Sequence, residues 1–250
     1  MSLVIVVYIP EGIVMASDSR QSITIGGKTP DGEDFKVETV NSDAVIKTFL
    51  LERQQVGISN FGADLLGGVP MSSHIRTFIE EELVTADDVT TIAEKLVTYF
   101  RKSFPKADAG FHVAGYKKEG KASIPYVYHC HIARNVHERR NAKPDGLLRY
   151  GATWSGQIDI ITSIINPPPA VIKAGKAKDK VVLAPAPIIW DAMTLQDAID
   201  FSIYAIRTTI DTMRFQARPK NVGGPINVLL LAPNREPKWI KRKDYQGERA

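Results

Sequence analysis

Leucine, valine, isoleucine and tyrosine fill both parities of Leu3–Tyr8, Pro10-Glu11-Gly12 is turn chemistry, and Ile13–Ser17 returns to apolar residues. The chain therefore opens with two short strands around a turn. A strand that is apolar on both parities is covered on both faces. That single feature favours a layered sandwich over a sheet with one face in water.

The rest of the chain is read in the same way. Residues 26–43 are polar, with Gly26-Gly27 and Asp31-Gly32 as turn signals, which places a protruding hairpin or loop there. A strand pair is expected at Val45–Leu51 and Gln55–Ser59. A helical stretch from Gly62 to about Leu83 follows, kinked or split by Pro70. In a second helix Val89, Ile92, Ala93, Leu96, Val97 and Phe100 recur at helical spacing, with Thr85 or Asp87 available as the cap. Strands are expected at Phe111–Tyr116, Tyr126–Ala133 and Leu147–Tyr150, and a short helix at Gln157–Ile165, stopped by Pro167-Pro168-Pro169. The clearest helix runs from Leu195 to Met213, opened by Thr194 with Asp197 as a near capping box. Ile226–Leu231 is the last strand. The order of strands, two helices, strands, two helices and a strand fits an α+β, four-layer αββα sandwich of two stacked antiparallel sheets with helices outside. No repeat or linker divides the 250 residues, so one domain spanning 1–250 is expected.

Composition narrows the function. A hydrophobic fraction of 44% supplies a core, and no apolar run reaches the roughly 18 residues of a membrane span. With no basic leader ahead of the apolar start, a cytoplasmic protein without membrane attachment is expected. The net charge of +4 sits partly in two local runs, Arg139 and Arg140 with Lys143, and Lys238 to Lys243, which read as solvated loops. A basic stripe interleaved with aromatics is missing, so nucleic acid is not an expected partner. Cys130 is the single cysteine and reads as a buried small hydrophobe. His129 and His131 would share one face of a strand, but no carboxylate spacing supports a metal there and they read as ordinary sheet residues.

At Gly12-Ile13-Val14-Met15-Ala16-Ser17-Asp18-Ser19-Arg20 the chain resembles the glycine, apolar strand and Ala-Ala-Asp-Ser-Arg segment of proteasome beta subunits and their bacterial relatives. The likeness continues at Val45-Ile46-Lys47-Thr48-Phe49, which is similar to the family's lysine-bearing strand. Val56-Gly57-Ile58-Ser59-Asn60-Phe61-Gly62-Ala63-Asp64 is similar to its Gly-Ala-Asp turn, and Val222-Gly223-Gly224-Pro225-Ile226 to the late glycine segment of the bacterial ancestral beta-subunit group. Three departures bear on the site rather than the fold. The segment between Asp18 and Lys47 is longer than in the family. The aspartate and serine before the late glycines are replaced by Arg218-Pro219-Lys220-Asn221-Val222. A family Gly-Ser-Gly is met only loosely by Gly151-Ala152-Thr153-Trp154-Ser155-Gly156.

The resemblance implies an N-terminal nucleophile hydrolase that cuts peptide or amide bonds without cofactor or metal. Ser2 falls at the nucleophile position, where threonine is usual, and would become the amino terminus on removal of Met1. Its α-amine, with a reference pKa of about 7.7–8.0, would serve as the base. Lys47 would stand beside the hydroxyl as a cation, Asp18 would fix Lys47, and backbone N–H groups near Asn60 to Gly62 would form the oxyanion hole. The same resemblance implies a homo-oligomeric ring acting on peptides or unfolded proteins, with an unfoldase partner. Two other readings stay open: a non-catalytic binding or scaffold subunit, and an amidase or ligase that passes the acyl group to an amine.

Overall fold

The computed structural model describes residues 2–173, 180–183 and 185–243. Its opening strand β1 (Leu3–Ile9) is buried at every position, as its composition requires. It lies between β2 (Gly12–Ser17) and β12 (Gly151–Gly156), and the antiparallel sheet is completed by β15 (Asn227–Leu231) and β16 (Lys238–Lys241) in the order β12-β1-β2-β15-β16. A second five-stranded antiparallel sheet runs β11-β10-β9-β6-β5, built from β5 (Thr48–Leu51), β6 (Val56–Gly62), β9 (Ala109–Glu119), β10 (Ala122–His131) and β11 (Val136–Arg139).

The two parities of β1 feed two different cores. Leu3, Ile5, Val7 and Ile9 cluster with Ile160 and Ile161 of α3 (Asp159–Ile165) and with Ala198, Ile199 and Ile206 of α4 (Leu195–Phe215). Val6 and Tyr8 instead join Ala114 and Val127 of the second sheet. A third cluster sets Ile58, Phe111, Val113 and Cys130 against Ile75 and Phe78 of α1 (Met71–Glu81) and Ile92, Leu96 and Phe100 of α2 (Val89–Ser103). Fully burying each such side chain contributes about 1.5–3 kcal/mol, so truncating a large one in any cluster, such as Phe100, would be felt throughout it.

Several boundaries differ from expectation for identifiable reasons. Pro70 does not interrupt a helix. Residues before it form a small ribbon of β7 (Leu65–Leu66) and β8 (Val69–Pro70), and Pro70 sits at the N-cap of α1, where its missing N–H costs nothing. Helix α2 is capped by Asp88, which accepts from the N–H groups of Thr90 and Thr91; the neighbouring Asp87 binds Val84 N–H and Lys95 instead. Leu147–Tyr150 is not a strand, and Leu147 is 60% exposed. The strand is the next segment, β12, whose small residues suit the sheet edge it occupies. Of the two basic runs, Arg140 and Lys143 do lie outside the strands, whereas Arg139 ends edge strand β11 and Lys238 and Lys241 belong to edge strand β16, where charge discourages edge-to-edge pairing.

Residues 21–42 form a two-stranded ribbon, β3 (Gln21–Lys28) and β4 (Asp34–Ser42), that joins neither large sheet. A further pair, β13 (Ala170–Lys173) and β14 (Lys180–Leu183), was not legible in the sequence. The capping box at Thr194 and Asp197 is formed in full. Among the described residues no helix is long and apolar enough to cross a membrane.

Candidate active site

Ser2 and Leu3 are gripped from both sides at the head of β1. On the β12 side, Gln157 N–H donates to the Ser2 carbonyl at 2.7 Å. Gly156 makes this approach possible: its φ is +102°, and a Cβ there would lie 1.8 Å from the Ser2 carbonyl oxygen. On the β2 side, Leu3 N–H donates to Asp18 Oδ1 at 2.9 Å and Asp18 N–H to the Leu3 carbonyl at 3.2 Å. Ser2 itself is buried, and its Oγ has no hydrogen-bond partner among the described residues.

Asp18 ends β2 and gathers the expected lysine. Lys47 Nζ lies 2.8 Å from Asp18 Oδ1, with both side chains fully buried, and donates also to the Arg20 carbonyl at 2.5 Å. The other carboxylate oxygen, Oδ2, accepts from Arg20 N–H at 3.1 Å and Gly223 N–H at 3.0 Å. The late glycine segment thus supplies a main-chain donor to Asp18, a use its sequence did not reveal. A buried charge is tolerable only when paired and hydrogen-bonded, and Asp18 has both kinds of support. Ser19 is buried beside it, its hydroxyl bonded to the Pro225 carbonyl and to Asn227 Nδ2.

Gly62 comes to the same place from the second sheet. Its φ is +87°, and a Cβ would meet the Asp108 carbonyl at 2.4 Å, so the turn closes only with glycine. Ser2, Phe61, Gly62, His129, His131 and Trp154 are among the residues lining one cavity of about 320 Å³. The structure therefore brings together two pairs: Ser2 with Gly62 at a cavity, and Asp18 with Lys47 in an ion pair that also holds Leu3.

Sequence reasoning overlooked several polar groups here. Asp64 is buried near Lys47, and burial raises its carboxyl above the usual range. One of its oxygens accepts weakly from Asn60 Nδ2 at 3.4 Å, while Asp64 Oδ2 and Asn60 Oδ1 have no partner among the described residues. Both residues line a second cavity, of about 360 Å³, together with Gln21, Val45 and Arg76. Asp64 was visible only as the end of the Gly-Ala-Asp turn. His112 stands on β9 opposite His129, fully buried, with its Nε2 3.0 Å from Ser155 Oγ. Burial, with His129 alongside, lowers His112 to about 3; burial likewise lowers His129 to about 4 and lowers His131. All three rings are thus uncharged near neutral pH. His129 and His131 do share a face, and that face is a cavity wall. Among the described residues no group of three or more His, Cys, Asp or Glu could hold a metal ion. Cys130 is buried, which pushes its thiol up and away from reactivity.

In the stretch Arg218–Val222, where the family acid is lacking, Asn221 is the buried polar residue. Its Nδ2 reaches Gln157 Oε1 at 3.3 Å and its Oδ1 has no partner among the described residues.

No family model matches the chain, and no curated protein does. Solved structures do. The chain is similar to an Anbu variant from Hyphomicrobium sp. strain MC1, at 14% identity, covering 97% of this chain and 86% of that one with a TM-score of 0.55. It is similar also to Anbu (ancestral beta-subunit) from Yersinia bercovieri, at 12% identity, covering 95% and 86% with a TM-score of 0.55. Identities this low speak for the fold alone, and that fold is the proteasome-related one of the Anbu proteins.

Proposed function

We propose that this protein is an amide-bond hydrolase, a peptidase, using Ser2 as an amino-terminal nucleophile once Met1 is removed, within a four-layer αββα sandwich. One observation carries the reading. A single oxygen of Asp18 takes both the Leu3 N–H and the Lys47 ammonium, which ties a buried cation to the backbone of the residue that follows Ser2, whose hydroxyl has no partner among the described residues.

The chemistry follows from those positions. Ser2 Oγ attacks the substrate carbonyl carbon while the neutral Ser2 α-amine takes the hydroxyl proton, directly or through one water. The Lys47 cation lowers the cost of the developing alkoxide and favours the neutral amine. Main-chain N–H groups at Asn60 to Gly62 receive the oxyanion, where losing one good donor costs about 3–4 kcal/mol of barrier. The amine then gives its proton to the leaving nitrogen, and water, deprotonated by the same amine, cleaves the Ser2 ester. Activity should rise with pH as the amine deprotonates, near or below its reference value of about 7.7–8.0. Assembly into a homo-oligomeric ring fed by an unfoldase is part of the proposal.

The test is hydrolysis of a broad peptide pool by protein whose mass shows that it begins at Ser2. Turnover lost in Ser2→Ala supports the mechanism, and turnover that survives it removes the mechanism. A second reading, a binding subunit without catalysis, is favoured by Asn221, a neutral amide in the stretch where the family carries an acid. No turnover and no labelling of Ser2 by a serine-directed electrophile would establish that reading.

A further inference from the structure

The ribbon of β3 and β4 fills the segment between Asp18 and Lys47 that is longer than in proteasome beta subunits. Its register sorts side chains by face. Ile25 stands opposite Val37 and Gly27 opposite Phe35 on one face, while Thr24 stands opposite Glu38 and Lys28 opposite Asp34 on the other. Ile25, Phe35 and Val37 are all exposed, so the rest of the described chain does not bury the apolar face. A two-stranded ribbon left to itself is marginal in water. The outer edge of β4 pairs with no other strand among the described residues.

Charge sets the ribbon apart from the body. It carries Asp31, Glu33, Asp34 and Glu38 against Lys28 and Lys36, on a chain whose net charge is +4. None of the four carboxylates is in an ion pair among the described residues. Two ribbons laid together would set acid against acid.

The edge of opposite character is β16. Lys238 and Lys241 stand opposite Leu230 and Val228, which are two apart on β15, and so share a face; Trp239 stands opposite Leu229 and takes the other. No acid interrupts the run from 238 to 243, and Lys238, Lys241 and Arg242 form no ion pair among the described residues. At the basic end of β11, by contrast, Arg140 is paired with Glu138 and Arg139 lies over the Tyr126 ring. Lysines protect an edge against its own kind and leave it open to a strand with acids in matching places. Within one chain the ribbon and β16 do not pair, and the bond between their neighbourhoods falls beside the ribbon, from Lys243 Nζ to the Asp43 carbonyl at 3.0 Å.

We infer that the ribbon is an arm whose β4 edge adds to the β16 edge of a second copy of this chain. Strand addition supplies main-chain hydrogen bonds, sets Asp34 and Glu38 beside Lys238 and Lys241 on one face, and carries Phe35 and Val37 alongside Trp239 on the other. The two surfaces differ, so each copy gives an arm and receives one. Such a head-to-tail contact builds a ring where its rotation closes. The inference rests on the assembly part of the proposed function and is independent of Ser2.

The test is sedimentation of the whole chain and of two charge-reversed variants, Asp34→Lys with Glu38→Lys and Lys238→Glu with Lys241→Glu, each taken forward with a melting temperature matching the wild type. The wild type should associate, and less at high salt than at low. Each variant alone should associate at least about tenfold more weakly, and the neutral pair Asp34→Asn with Glu38→Gln should fall between. An equimolar mixture of the two reversed variants should recover association, because the basic arm of one then meets the acidic edge of the other. A mixture no larger than its parts overturns the arm. Loss in the ribbon variant alone sends the arm to a different surface and overturns the inference too. A ring that persists in both variants removes the arm and leaves the ring, whereas a wild-type chain that stays monomeric at micromolar concentration removes both. Peptide turnover by that monomer leaves the hydrolase reading standing.

Discussion

Asp18 and Arg20 leave the end of β2 for two different ion pairs. Asp18 meets Lys47 where both side chains are fully buried, whereas Arg20 meets Asp43 with 21% and 43% of their side chains exposed. The exposed pair has the better geometry for an arginine, with Nε and Nη2 reaching the two Asp43 oxygens at 2.6 and 2.7 Å, yet pairs in water are worth only about 0–1 kcal/mol. The buried pair gains more attraction but loses the hydration of both ions, so an apolar replacement of both partners is often no less stable. Three main-chain donors hold the buried pair, and under the proposed mechanism its use is to supply a fixed cation near the head of β1. His112 is the third case. It is buried with no counter-ion among the described residues, and burial lowers its pKa to about 3.

The largest effect expected is from Lys47→Met, which leaves the Asp18 carboxylate buried without its cation. Denaturant unfolding should show a loss of about 3–5 kcal/mol, and a loss below about 1 kcal/mol would put the pair on the same footing as Arg20–Asp43. Next comes the double variant Asp18→Asn with Lys47→Met. With no charge left buried it should recover part of that stability, short of wild type because the amide NH2 at position 18 then faces a main-chain N–H where a carboxylate oxygen accepted one; peptide hydrolysis should stay absent, and recovered hydrolysis would separate the pair from catalysis. Smaller again is the effect of acid on His112. Its ring titrates near 6.5 in the unfolded chain and at about 3 when folded. Between those values the unfolded chain binds the proton and the folded one does not. The contribution is therefore fully present above pH 6.5 and falls with pH by up to about 1.4 kcal/mol per pH unit. Melting temperatures recorded from pH 7 to 4 should drop less steeply in His112→Gln than in the wild type. Arg20→Ala should cost least, about 1 kcal/mol or below. Its mark should be faster amide exchange in β3 and β4, and unchanged exchange there would mean that Arg20 does not hold the ribbon.

The parts of the fold that were legible in the sequence are those where burial leaves a period. The doubly apolar β1, the helical face of α2 and the capping box of α4 each write their environment into side-chain spacing. Edge strands do so less clearly, because they carry more polar and charged side chains: β16 looked like a charged loop, β11 was marked only by its terminal Arg139, and β12 only as a loose match to a family Gly-Ser-Gly. Within the site, Asp18 and Lys47 could be named because their segments resemble those of proteasome beta subunits; they lie just past the end of β2 and just before β5. Gly223 N–H and the lining of the cavity at Ser2 could not. The first is a main-chain group with no signature, and the second is assembled from β6, β10 and β12, across long sequence separations that no local pattern records.

The ribbon of β3 and β4 enters and leaves the body at one point. Arg20 and Asp43, the residues flanking it, are bonded to each other, and Val45 N–H returns to the Ser19 carbonyl at 3.0 Å. Topologically the ribbon is a branch off the chain rather than a link in it. Its tip, where Gly32 turns with φ at +83°, can be lengthened or shortened without altering the path that carries Asp18 to Lys47. With Ile25, Phe35, Val37 and Val40 each more than 40% exposed on it, the branch is free to change its contacts while the junction beneath it keeps its geometry.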